Sequence, residues 1–212
     1  MKKVFFTAAL TIPLVIALGL GGCLLEDRDV QIVLNDDFCK AFPEDHASAT
    51  WTHSETLEIG EDLDQLLADN EISLDQIDSI FVSGGNYDVI EYTVIDHDWL
   101  IDGTITIERT DVSGSGPITL IAASSPKSIE AEYASGPQTV PLEPAAVAMI
   151  NQALYEYLNA GATPEFELSV VMGDISPPPS TEDRIVFEWQ ACILVQVIST
   201  LDVEIVNWLG GS

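Results

Sequence analysis

The run Arg184-Ile185-Val186-Phe187-Glu188-Trp189-Gln190-Ala191-Cys192-Ile193-Leu194-Val195-Gln196-Val197-Ile198-Ser199-Thr200 places Ile185, Phe187, Trp189, Ala191, Ile193, Val195 and Val197 on one face. A two-residue apolar period belongs to a β-strand, because successive side chains leave a pleated backbone on opposite sides. The run predicts one long strand, or two joined by a bend, with a buried face. Glu165 to Met172 repeats the pattern, with Phe166, Leu168, Val170 and Met172 inward. Thr104 to Thr110 does so again, setting Ile105 and Ile107 against Thr104, Thr106 and Glu108.

Further strands are predicted at Val30–Leu34, Ser79–Ser83, Tyr87–Asp96 and Ile118–Ala122, with weaker ones at Ala49–Thr56 and Ser128–Tyr133. Gly84-Gly85-Asn86 reads as a turn or bulge, and Asp111–Pro117 as a turn. Asn35–Ser48, with Pro43 and clustered acids, reads as a loop, and Pro177-Pro178-Pro179 as a stiff one. Val203–Leu209 adds an apolar end. Pro144–Ala160 is a helix: Val147, Ile150, Leu154 and Leu158 form its stripe, Pro144 suits the first turn and Gly161 stops it. Glu58–Asn70 is a second helix, and Ser73-Leu74-Asp75-Gln76 has the form of a capping box opening a very short third one. Strands every ten residues or so, without regular alternation with helices, predict a mainly β fold. The expected architecture is an antiparallel β-sandwich or partly open barrel over residues 30–212, as a single domain. One amphipathic helix lies at about 144–160, with one or two short helices at about 58–77.

The amino terminus carries a different message. Met1-Lys2-Lys3 is basic, Val4 to Leu20 is apolar apart from a few small or polar residues, and Leu20-Gly21-Gly22-Cys23 follows. That order is the layout of an export signal. The apolar run is at the short limit for crossing about 30 Å of hydrocarbon, and Pro13 interrupts it. Leu20-Gly21-Gly22-Cys23 resembles the lipobox of bacterial lipoproteins, with Gly21 where Ala or Ser is more usual. The resemblance covers residues 1–23 only. It implies that 1–22 are removed and that Cys23 becomes a lipidated first residue. Each buried CH₂ is worth about 0.8 kcal/mol, so two or more chains anchor stably. Leu24 stands where an Asp would favour retention at the inner membrane, so the resemblance implies the outer membrane where there are two. The alternative is an ordinary secretory signal that leaves a soluble protein. Residues 23–29 read as a short tether, reaching only about 20 Å when extended.

Thirty-five acids against seven bases give the 212-residue chain a formal charge of −28. Loss of residues 1–22 removes Lys2 and Lys3, leaving five bases and a charge of −30. Such a surface repels nucleic acid and anionic headgroups and attracts cations or basic partners. Because the acids are scattered over a strong apolar pattern, they point to a folded, solvated surface suited to saline water; the competing reading is a cation site. With Cys23 taken by lipid, Cys39 and Cys192 remain as a disulfide pair for an oxidising compartment, against the reading of two separate buried thiols.

Asp96, His97, Asp98 and Asp102 place three carboxylates and an imidazole within seven residues. Oxygen ligands so spaced suit Ca²⁺, and the imidazole adds affinity for Zn²⁺. An EF-hand alignment fails, since Leu100 and Arg109 fall at ligand positions, and a hydrated turn explains the residues as well. His46 and His53, with Glu44, Asp45 and Glu55, form a second set with looser spacing. Ser113-Gly114-Ser115-Gly116 lacks the first glycine of a nucleophile elbow, Val112 standing there, and reads as a turn. Among the tryptophans, Trp189 belongs to a core face, and Trp99, beside a turn, is the one expected at the surface.

These features predict a membrane-anchored cell-envelope lipoprotein with a non-enzymatic binding or structural role and a protein or apolar small-molecule partner. The alternative is a carrier or sensor holding an apolar ligand beneath the Pro144–Ala160 helix. An envelope hydrolase stands last.

Overall fold

A computed structural model describes residues 28–93, 98–123 and 125–203. The export segment, Cys23, Asp96, His97, Trp208 and the apolar end beyond 203 lie outside the described residues. In chain order the strands are β1 (Arg28–His46), β2 (Trp51–Leu57), β3 (Ile77–Tyr92), β4 (Leu100–Arg109), β5 (Ile118–Ile121), β6 (Lys127–Ser128), β7 (Gln138–Val140), β8 (Phe166–Ser176) and β9 (Ile185–Val203). The helices are α1 (Ile59–Asp69), α2 (Ile129–Ser135) and α3 (Pro144–Ala160), with one 3₁₀ turn at Leu74–Gln76.

Two antiparallel sheets pack as a sandwich. One has the order β1-β9-β3-β7 and the other β2-β8-β4-β5, with β6 pairing to β4. The inward faces read from sequence are those observed: Ile107, Phe166, Leu168, Val170, Ile185, Val195 and Val197 have no exposure. β9 is a single strand, paired with β1 on one side and β3 on the other. The disulfide Cys39–Cys192 joins residues directly opposite each other in the β1–β9 ladder, 153 positions apart in the chain.

Helix α3 packs against β3 in one sheet and β5 in the other, bridging the side of the sandwich. Its stripe is turned slightly from the predicted one. Ala146, Ile150, Ala153, Leu154 and Tyr157 are buried, while Val147 and Leu158 are only partly so. Pro144 opens it and Gly161, at φ 64°, ends it in the left-handed conformation that favours glycine. Helix α1 buries Ile59, Leu63 and Leu67 as its period requires. In the capping box, Gln76 Oε1 accepts the Ser73 backbone N–H at 2.8 Å.

Several expectations are corrected. The predicted loop over 35–48 continues β1 to His46. Its inward positions include Asp36, Lys40 and Glu44, which broke the apolar period. Pro43 is tolerated because β1 is an edge strand needing ladder bonds on one side only. Residues 28 and 29 of the predicted tether already pair with Val203 and Asp202. The strand predicted over Ser128–Tyr133 is β6 followed by α2, with Ser128 Oγ accepting the Ala131 N–H at 2.9 Å as N-cap. Of the two readings of Gly84-Gly85-Asn86, the bulge holds and the turn does not: β3 runs through it with a register shift between Val82 and Gly84. There the Val82 N–H donates to Asn151 Oδ1 of α3 at 2.8 Å. The strand predicted to reach Asp96 ends at Tyr92. Trp99, expected at the surface, is fully buried.

Candidate functional site: a cavity between the sheets

The two inward faces do not meet everywhere. Between them lies a cavity of about 500 Å³, within the range of roughly 300–1,000 Å³ usual for small-molecule sites. Val89, Phe187 and Trp189 of β3 and β9 form one wall. Ile101, Ile105, Val170 and Met172 of β4 and β8 form the other. Ile121, Ala122 and Ala123 at the end of β5, and Val140 and Pro141 at the end of β7, also line it, with Ala122, Ala123 and Pro141 exposed. Both β7 and β5 are short, three and four residues, at the sheet edges beside the cavity. Gly103 keeps the β4 wall low, since a Cβ there would come within 2.5 Å of Met172 Sδ.

Polar groups converge at one place. Lys127 Nζ donates to the Tyr87 hydroxyl at 2.7 Å, and that hydroxyl donates to Glu132 Oε2. Lys127 also stands 3.6 Å from Glu132 Oε1 and 5.2 Å from the centre of the Tyr87 ring. The hydrogen bond to Tyr87 pushes the Lys127 ammonium pKa up, against the effect of burial. Burial first, and then the bond to Glu132, push the Tyr87 phenol up. Both groups therefore keep their protons near neutrality, which suits them to holding a structure or a ligand more than to nucleophilic attack. Two further acidic residues border the cavity: Asp102, whose place on β4 alternates with the inward Ile101 and Gly103, and the exposed Glu143 ahead of α3. Asp102 Oδ1 is shut off from solvent and meets no hydrogen-bond donor.

The predicted site residues are distributed as follows. Asp102 borders the cavity, whereas Asp98 Oδ1 accepts the Glu130 N–H of α2 at 3.2 Å. Among the described residues no group of three or more His, Cys, Asp or Glu side chains is placed to hold a metal ion. The second histidine set does assemble, as a part-buried polar cluster around a buried carboxylate. The fully buried Glu44 side chain meets His46 Nε2 at 2.7 Å and His53 Nδ1 at 3.3 Å, and His53 Nε2 reaches Glu55 Oε1 at 3.2 Å. Asp45 points the other way and pairs with Arg184 at 2.6 Å. In the Ser113–Gly116 turn, the Ser115 hydroxyl donates to the backbone carbonyls of Arg109 and Val112.

Sequence reasoning missed Tyr87, Lys127 and Glu132 as a group. They come from β3, β6 and α2, and the one signal open to a sequence reading, the rarity of lysine in this chain, would mark Lys127 alone.

No protein-family profile matches the sequence, and no curated protein sequence does. Among solved structures, the chain is similar to one described as Desmodium yellow mottle tymovirus, with a TM-score of 0.29 and 9% identity over 98% of this chain and 100% of that one. It is also similar to the infectious bursal disease virus Gx strain structure, with a TM-score of 0.25 and 13% identity over 90% of this chain and 42% of that one. TM-scores this low bear on nothing that the present chain does. What stands is a mainly β sandwich of two antiparallel sheets with three helices and a Cys39–Cys192 disulfide.

Proposed function

We propose that this protein is a lipid-anchored cell-envelope binding protein, held at its membrane through Cys23, that carries or senses an apolar small molecule in the cavity between its sheets. The observation that carries the reading is that cavity: about 500 Å³, walled mainly by aliphatic and aromatic side chains, with exposed lining residues at Ala122, Ala123 and Pro141. Burial of apolar surface yields roughly 25 cal/mol per Å², so a ligand that fills such walls gains affinity without any catalytic group. The site differs from the expected place, since it lies between the two sheets and not beneath α3. The anchor rests on the lipobox resemblance of Leu20-Gly21-Gly22-Cys23, and an envelope location agrees with a disulfide.

The test is titration with the uncharged dye N-phenyl-1-naphthylamine, whose fluorescence rises on leaving water. Saturable binding of one dye per chain is expected, and Ala122→Phe, at the exposed mouth, should weaken it. Non-saturable binding, or binding that Ala122→Phe leaves unchanged, would remove the proposal.

A further inference from the structure

Resting on the reading of the cavity as a binding site, we infer that Glu132 sets the class of its ligand. Its carboxylate fills the place where Lys127 and Tyr87 would hold an anionic head, which closes the cavity to carboxylates and leaves it to molecules with an uncharged head. The strand register puts both donors on the inner faces. Lys127 is the direct partner of Ile101 in the β4–β6 pair, and directly opposed residues share a face. Tyr87 stands two places before Val89 on β3, and residues two apart also share one. All four line the cavity. An ammonium from one sheet and a phenol from the other therefore meet between the sheets, with Nζ and Oη 2.7 Å apart.

Alone, that pair would be a receptor for a carboxylate. Lys127 is the one basic residue of the lining, and a protonated phenol beside it donates a second hydrogen bond. Burial pushes the Tyr87 phenol up, so the group keeps its proton and remains a donor. In the protein the place is taken. Tyr87 donates to Glu132 Oε2, and Glu132 Oε1 lies 3.6 Å from Lys127 Nζ, so one carboxylate spans both donors. Helix α2 delivers it: Ser128, next to Lys127, caps the helix, and Glu132 follows one turn later. An incoming carboxylate would find the phenol proton committed and a like charge beside the ammonium, in a chain of formal charge −28. An uncharged head meets neither obstacle. An ammonium has three N–H donors, and one that Tyr87 and Glu132 leave over can go to a hydroxyl or carbonyl oxygen.

The experiment displaces N-phenyl-1-naphthylamine from the full chain with dodecanol and with laurate, which share one chain length, at neutral pH and below the micelle concentration. Dodecanol is expected to bind more tightly than laurate by on the order of tenfold. Glu132→Gln keeps the size and the acceptor but loses the charge, and Glu132→Ala empties the place. Each should tighten laurate by roughly tenfold and leave dodecanol unchanged. Glu130→Gln removes the same charge from an exposed position of the same helix and should change neither. Lys127→Met added to Glu132→Ala should cancel the gain in laurate. Laurate binding the parent as tightly as dodecanol, or gaining no more from the Glu132 variants than from Glu130→Gln, would overturn the inference, while saturable dye binding leaves the cavity reading intact. If the dye itself does not bind saturably, the cavity reading falls and takes this one with it.

Discussion

The indole N–H of Trp189 donates to Glu44 Oε1 across 3.2 Å, tying the wall of the cavity to a carboxylate that has no solvent exposure. The two residues lie on neighbouring strands, one step apart diagonally, since Phe42 is the direct partner of Trp189 and stacks on it at 4.6 Å. His46 and His53 complete the surroundings of Glu44, and His53 comes from the opposite sheet. A buried carboxylate without partners is strongly unfavourable, so this cluster holds β1, β2 and β9 in one relative position.

Glu44→Leu should lower the unfolding free energy by about 1–3 kcal/mol, since it strands the buried Trp189 N–H and takes one partner from each of two part-exposed imidazoles. Glu44→Gln keeps an acceptor and should cost less. Combined with Trp189→Phe in a double-mutant cycle by urea denaturation, Glu44→Leu should show a coupling of at least about 0.5 kcal/mol. Strict additivity would deny that the two side chains act together.

The disulfide prediction follows from chain entropy. Closing a loop of more than 150 residues restricts the unfolded chain by up to about 5 kcal/mol, an upper figure because native strain and residual structure reduce it. Cys39→Ser and Cys192→Ser should each lower the melting temperature. Reduced and oxidised protein melting together would show that the bridge contributes nothing.

Arg109, nearly buried at the end of β4, donates Nε to Asp111 Oδ1 at 2.9 Å and Nη2 to Asp111 Oδ2 at 2.7 Å, and reaches Glu156 of α3 at 2.6 Å. Hydrogen bonds from Arg109 hold the Asp111 and Glu156 carboxyls below their ordinary values. A depressed folded-state pKa means stability that is present above the ordinary value of 3.8 for Asp111 and lost as the pH falls through the lower one. Asp62 and Asp88, pushed up by burial, act in the opposite sense. The clean measurement is therefore a difference. Asp111→Asn should melt below the parent at pH 6, with the gap narrowing below about pH 4. A gap independent of pH would mean that the pair is not electrostatic.

Self-repulsion among 35 acids makes a further prediction. Raising salt from 0.01 to 1 M shortens the screening length from about 30 Å to about 3 Å, so the melting temperature should rise with sodium chloride. Equal stability at both extremes would remove the saline-surface reading.

Much of the fold was legible where one periodicity dominated. The inward faces of β8 and β9 and the caps of α3 could be read directly, because each apolar position there also faces the core. It failed where function or an edge intervened. Asp36, Lys40 and Glu44 sit on the inner face of β1 and disguised it as a loop. Only Ile129 is buried in α2, too little to register a helical period. Trp99 is buried despite the turn predicted beside it, since long-range packing and not its neighbours decides its exposure. The Glu44–His46–His53 set was visible as residue types, yet the contact between two sheets was not. The cavity was invisible for the same reason, its walls being drawn from strands spread over Tyr87 to Trp189.

The anchor has its own test. Cys23→Ser should move the protein from membrane to soluble fractions, and mass spectrometry of the mature amino terminus should find acyl chains on Cys23. Unchanged fractionation, or an unmodified terminus, would leave the domain without its proposed attachment.

Occupancy of the space between the sheets is best observed directly, in a crystal structure of the protein grown with dodecanol, which carries no charge and so bears on the cavity alone. Continuous ligand density between Val89 and Val170, in contact with Trp189, is the predicted result. A cavity closed by repacking of Phe187 and Met172, with no ligand density between the sheets, would contradict the account.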